Sequence, residues 1–197
     1  SSLNKVLERL SSGLRINRAA DDAAGLAIAE GFRSQVRGTV VAQRNSQDGI
    51  SLVQTAEGSL SETTNILQRI RELAVQASNG TQSDTNRSAL HQEVSQLLSQ
   101  IDDIALDTEF NGLKVLSANQ TVTLQSGAYT SQTLNVTMQG AKTSDLKVNT
   151  VAVSTYTLAV SAISTLDNAI KSVNTLRADL GSFQNRLEFT ISTLAIQ

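Results

Sequence analysis

The side chains that most often carry chemistry are scarce in this chain of 197 residues, which holds one His, His91, and no Cys. A lone His cannot build a two-His zinc site. Without Cys there is no thiol nucleophile, thiolate ligand or disulfide. The densest set of carboxylates is Asp102, Asp103, Asp107 and Glu109. A calcium loop alternates its carboxylates around a central Gly, and this run does not. Ile101 and Ile104 lie behind it, so it reads as the solvated face of a helix. His91 follows Leu90 and is expected on the polar side of the same helix. No Gly-rich phosphate loop, His-Glu-x-x-His or Gly-x-Ser-x-Gly occurs. The expectation is a protein that is not an enzyme, with no catalytic residues, no metal and no cofactor. Asn79, Asn86, Asn119 and Asn135 each open an Asn-x-Ser/Thr triplet, which chance supplies in a chain this rich in Asn, Ser and Thr.

The remaining chemistry is that of binding. Arg69, Arg71 and Arg87 gather around one stretch. They are either the solvated side of a rod or a contact surface, since Arg on a rigid helix is a favoured interface anchor. Glu72 is followed at i+4 by Gln76, so it lacks the usual helical ion-pair partner there.

These residues must be positioned by long helices. Aromatic residues make up 3% of the chain, hydrophobic ones 40%, and Pro and Trp are absent. A core of Leu, Ile, Val and Ala suits helices packed side by side, and nothing interrupts them outright. A net charge of −2 and a pI near 5.4 argue against nucleic-acid binding. No apolar run is long enough to cross a membrane as a helix. At this length one domain, or two small ones, buries about 70% of the extended-chain surface.

Leu3, Val6, Leu7 and Leu10, with Lys5, Glu8 and Arg9 between them, predict a first helix that Gly13 ends in a left-handed C′ position. Asp21 or Asp22 is expected to cap a second helix reaching about Val36, weakened by Gly25, Gly31 and Gly38. A third runs from about 45 to 78. Its seam Val53, Ala56, Leu60, Thr63, Leu67, Ile70, Ala74 and Ala77 alternates spacings of three and four. Such a helix extends about 50 Å, longer than a compact small domain is wide. Asn79-Gly80-Thr81 should end it by C′ chemistry. Asp84 should cap an antiparallel return helix with the seam Leu90, Val94, Leu97, Ile101 and Ile104. Asn111-Gly112 marks a tight turn. Val122 and Leu124, then Leu134, Val136 and Met138, alternate with polar residues and predict a β-hairpin. Residues 139–157 read as a polar connector. From Leu158 a final helix carries its apolar face from Ile163 to Leu194. The fold class expected is mainly α: an elongated antiparallel helical rod of heptad helices with a small β-hairpin. Both ends look cut through helices. Four segments follow: a helix remnant with its linker over 1–20, the first half of the rod over 21–116, the hairpin and connector over 117–157, and the last rod helix over 158–197.

The strings Leu10-Ser-Ser-Gly-Leu-Arg-Ile-Asn17, Asp21-Asp-Ala-Ala-Gly-Leu-Ala-Ile28, Asn45-Ser-Gln-Asp-Gly-Ile-Ser51, Leu67-Gln-Arg-Ile-Arg-Glu-Leu-Ala-Val-Gln76 and Glu109-Phe-Asn-Gly-Leu-Lys-Val-Leu116 resemble bacterial flagellin. Leu176-Arg-Ala-Asp-Leu-Gly181 and Gln184-Asn-Arg-Leu-Glu188 resemble the start of its C-terminal region. The resemblance covers nearly the whole chain. It implies a core rod domain, trimmed at both ends and lacking most of the variable outer domains. The implied function is a structural subunit of the motility filament, exported unfolded and placed in the extracellular flagellum. Its implied partners are other flagellin subunits and the export and capping machinery. A chain without the inner-core helices is expected not to polymerise. The resemblance also implies recognition by the vertebrate Toll-like flagellin receptor, through Gln68, Arg69, Leu73 and Gln76 on one helix and Glu93 on the next. Leu73 is at the same time a core candidate by periodicity. Related readings are a hook–filament junction protein and a cell-surface adhesin.

Overall fold

The computed structural model describes the backbone of residues 2–196 and the side chains of 6–8 and 10–196. Helix α1 (Ser2–Ser12) ends where Gly13 takes φ +68°, the left-handed C′ geometry expected. Val6, Leu7 and Leu10 on it are exposed. The Leu3, Lys5 and Arg9 side chains lie outside the described residues.

Helix α2 (Ala23–Ala77) begins at Asp22, whose Oδ1 accepts the Gly25 N–H at 2.9 Å. It continues unbroken for 55 residues, about 80 Å at 1.5 Å per residue. The sequence suggested two helices with a gap between Val36 and Asn45; the structure joins them. The glycines that look like weak points have another use. A Cβ on Gly38 would stand 3.0 Å from the Ala128 Cβ, and one on Gly49 would stand 3.2 Å from Leu187 Cδ1 and closer still to Leu124. Both glycines are clearances that let neighbouring elements reach the helix axis.

The seam of α2 is buried at every expected position and runs back through Leu52, Gly49, Ser46 and Ala42 to Thr39. Its polar members do not need a partner helix. Thr39, Ser46, Thr63 and Thr64 each donate their hydroxyl to the carbonyl four residues back, at 2.9–3.0 Å, which satisfies the oxygen inside its own helix.

Helix α3 (Asp84–Asp107) returns antiparallel along the C-terminal half of α2, burying Val94, Ile101 and Ala105. Its cap is Ser83, one residue earlier than expected. Ser83 Oγ accepts the Asn86 N–H at 3.2 Å, leaving Asp84 in the first turn, where its charge suits the helix dipole. The α2–α3 turn also differs from expectation. Gly13 and Gly112 are the described glycines at positive φ, so Gly80 is no left-handed cap. Ser78 caps α2 with its N–H on Ala74 O at 2.9 Å.

Strands β1 (Glu109–Phe110) and β2 (Leu113–Lys114) form a minimal ribbon, and β3 (Gln120–Gln125) and β4 (Thr133–Met138) form the hairpin expected from alternation. Val122 pairs with Val136 and Leu124 with Leu134. The hairpin lies on the N-terminal half of α2, where Asn45 Nδ2 donates to Gln125 O at 3.0 Å. It thus continues the layer that α3 begins.

The connector is not the weakly structured segment its polarity suggested. Ala141, Leu146, Val148, Val151 and Val153 are all buried in the common core. Helix α4 (Tyr156–Leu194) then runs antiparallel to α2 along its length, with 39 residues capped by Thr155. Arg71 meets Asp167 near one end and Gly49 faces Leu187 near the other. Leu166, Val173, Leu180 and Leu187 fill the α2–α4 seam.

Leu67 is 0% exposed and Val75, eight residues on, is 47% exposed. Leu67→Ala should therefore destabilise the fold by about 2–5 kcal/mol, while Val75→Ala should stay within about 0.5 kcal/mol of the parent. Equilibrium chemical denaturation of both variants checks the contrast.

Candidate recognition surface

The surface around Arg69 is built on two rigid helices. Arg69 projects from α2 and reaches α3, where its Nη2 and Nε both donate to Glu93 Oε1, at 2.9 and 3.2 Å. Its Nη1 donates to Glu72 Oε2 at 3.1 Å. One guanidinium thus ties two carboxylates from different helices. These bonds, first the one to Glu93 and then the one to Glu72, hold the Arg69 pKa above its ordinary value. The charge would be lost only as pH rises through that raised value, so Arg69 is cationic at any physiological pH. Arg71 is raised in the same way by its bond to Asp167 of α4 at 2.6 Å.

The exposed members of the surface are Gln68, Arg69, Glu72, Gln76 and Glu93. Gln68, Glu72 and Gln76 stand one helical row apart. Leu73 is different. It is 1% exposed and belongs to the fully buried core, so it offers no surface. Leu73 is thus not a direct contact residue: the periodicity that made it a core candidate describes its place.

Arg87 does not belong with the other two arginines. It is 6% exposed. Its Nε donates to Ala77 O at 2.8 Å, Nη2 to Asn79 O at 3.1 Å and Nη1 to Asp84 Oδ1 at 3.0 Å. It satisfies free carbonyls at the end of α2 and locks the turn between the helices. The sequence carried one hint, the Asp84–Arg87 spacing of three on a helix.

Asp102 likewise leaves the solvated acidic face on which the sequence placed it. Its two oxygens accept the Thr143 N–H at 2.8 Å and the Thr143 hydroxyl at 2.9 Å. It staples the connector to α3 across a separation of 41 residues, which no local signal announces. His91 is half-buried rather than on the open surface, and its Nδ1 is shielded from solvent without a hydrogen-bond partner. No group of three or more His, Cys, Asp or Glu among the described residues is placed to hold a metal ion.

A separate apolar stripe lies at the other end of the rod. Ile28, Phe32, Val36 and Val40 recur every four residues on α2 and are exposed, Phe32 by 64%. With Leu194 of α4 and its cap residue Ala195, the last three line an open groove of about 320 Å³.

Comparison with known proteins gives one family. Residues 1–121 match the bacterial flagellin N-terminal helical region and residues 163–197 the bacterial flagellin C-terminal helical region. A flagellin of Halalkalibacterium halodurans is 49% identical over 193 residues, covering 96% of this chain and 71% of that protein. The flagellar filament 31.3 kDa core protein of Treponema maltophilum is 44% identical over 209 residues, covering 98% and 73%. Among solved structures, Bacillus cereus flagellin superposes with a TM-score of 0.66 at 34% identity, covering 77% of this chain and 88% of that one. A putative flagellar hook-associated protein from Vibrio parahaemolyticus reaches a TM-score of 0.73 at 12% identity, covering 90% and 94%, a likeness of fold alone.

The buried and exposed arginines should separate on mutation. Arg87→Ala strands the Ala77 carbonyl, while Asn79 O keeps the Gln82 N–H, and should cost about 1–3 kcal/mol. Arg69→Ala removes solvated ion pairs and should leave the thermal midpoint where it is. Paired melting curves followed by circular dichroism check this.

Proposed function

The chain belongs to the bacterial flagellin family and is a structural, non-enzymatic subunit of the flagellar filament, and from that premise we propose that the Arg69 surface is where the Toll-like flagellin receptor docks on it. The observation that carries this reading is the fork of Arg69 between Glu72 and Glu93. It presents charge from α2 and α3 as one rigid unit flanked by the exposed amides of Gln68 and Gln76. Rigid side chains lose little conformational entropy on binding. Leu73 acts in this proposal from beneath, by fixing the spacing of the two helices.

The filament role gives the apolar stripe a use. Flagellin subunits assemble with one another, and a second copy is what covers Ile28, Phe32 and Val36 in this reading. Exposed apolar surface of this kind marks interaction sites. Contacts between unlike patches of identical rods generate open helices rather than closed rings.

The remaining readings rest on family logic. The filament lies outside the cell, so the subunit is exported, and the export and capping machinery are its partners on the way. A chain with no Cys cannot be trapped by disulfides as it travels unfolded. The segments 1–20, 21–116, 117–157 and 158–197 serve as helix remnant, first rod half, hairpin with connector, and last rod helix.

Arg69→Ala is expected to weaken binding to the receptor ectodomain by roughly tenfold or more. Surface plasmon resonance on a variant with an unshifted melting curve measures it. Unchanged affinity would remove Arg69, and the surface with it, from the proposal while leaving the filament role intact.

A further inference from the structure

We propose that Asn111 is a site of spontaneous backbone-assisted deamidation, favoured over the second Asn-Gly pair at Asn79. Both pairs are exposed and both offer a following Gly, whose lack of a Cβ leaves its nitrogen open to attack. The structure separates them.

In the reaction the Gly nitrogen attacks the Asn Cγ. The new N–Cγ bond forms as the Cγ–Nδ2 bond breaks, and ammonia leaves carrying the proton given up by the Gly nitrogen. Water then opens the resulting succinimide at either carbonyl, giving aspartate or isoaspartate. One water is consumed and one ammonia released, with no oxidant or reductant. The peptide plane between Asn and Gly must rotate to bring the nitrogen onto Cγ.

At Asn79 that plane is pinned. Its carbonyl accepts from Arg87 Nη2 and from the Gln82 N–H, each at 3.1 Å. Its side-chain Oδ1 accepts the Thr81 N–H at 3.1 Å. At Asn111 no hydrogen bond among the described residues engages the side chain, its carbonyl or the Gly112 N–H. The loop has the positive φ values, 51° and 79°, of a two-residue hairpin turn. It is closed by strands of two residues each, with the Glu109–Lys114 ion pair across them and the Val115 N–H on Thr108 O just beyond. Isoaspartate at 111 would add a methylene to the main chain inside that two-residue loop. The Glu109–Lys114 and Phe110–Leu113 pairing could not then keep its register. The chain next enters the core at Val115 and Leu116, so the lesion sits at a junction rather than at a free end.

Ageing the full chain at body temperature in mildly alkaline buffer, followed by trypsin, tests this. Cleavage after Arg71, Arg87 and Lys114 places the two sites on separate peptides, 72–87 and 88–114. Conversion of amide to acid, with isoaspartate found by enzymatic methyl labelling, should accumulate severalfold faster in 88–114, at Asn111. The same ageing in denaturant should bring the two rates together, and Asn111→Gln should abolish the product in 88–114. Equal or faster conversion at Asn79 in the folded chain, no product at either site, or a gap unchanged by denaturant would overturn the proposal.

Discussion

The rod depends on one continuous contact: the apolar seam of α2 laid against α4. From Ala42 to Ala77 the buried positions of α2 recur at threes and fours, and α4 answers from Leu194 back to Ala159. Neither helix would be stable alone in water as a single long rod, because each has a polar face and many of its buried positions are small, Ala in α4 and Ala, Ser and Thr in α2. Small side chains allow the axes to approach, and hydroxyls bonded to their own helix let polar residues sit in the seam at little cost. Everything else in the chain covers what this pair leaves open.

Two different structures provide that cover. Helix α3 covers the C-terminal half of α2, and the β3–β4 hairpin covers one side of the stretch from Gly38 to Gly49. The hairpin and its loop come close to α2 at two positions that carry no Cβ. Gly38 and Gly49 supply the room, facing Ala128 and Leu124. Asp102 then ties the connector to α3 by bonding Thr143, and the buried valines anchor the rest of the path from hairpin to α4 although it has almost no regular structure.

Period was the most legible property of the sequence. The seams of α2, α3 and α4 and the alternation of β3 and β4 stand where spacing placed them, because each depends on residues close along the chain. What spacing missed depends on residues far apart. The glycines of α2 look like breaks until Ala128 and Leu124 are seen against them. Gly80 looks like a helix terminator until Arg87 is found bonding the Ala77 and Asn79 carbonyls in its place. The connector looks polar because its buried valines are single and spaced irregularly. At the recognition surface, motif resemblance selected Leu73 together with Arg69, while periodicity and burial place Leu73 in the core and Arg69 outside it.

That distinction bears on what a surface of this rod is free to do. Arg87 is committed: its donors complete the end of a helix and cannot be redirected without exposing carbonyls. Arg69 is not. Its partners Glu72 and Glu93 are solvated, and solvated ion pairs contribute little to folding. Their value lies in holding a charged group still at a fixed distance from α3. A long helical pair with committed residues inside and uncommitted charges outside can therefore change its outer face without altering its length or straightness. For a subunit that must repeat along a filament, constancy of the seam and freedom of the surface are separate requirements, and this chain meets them with separate residues.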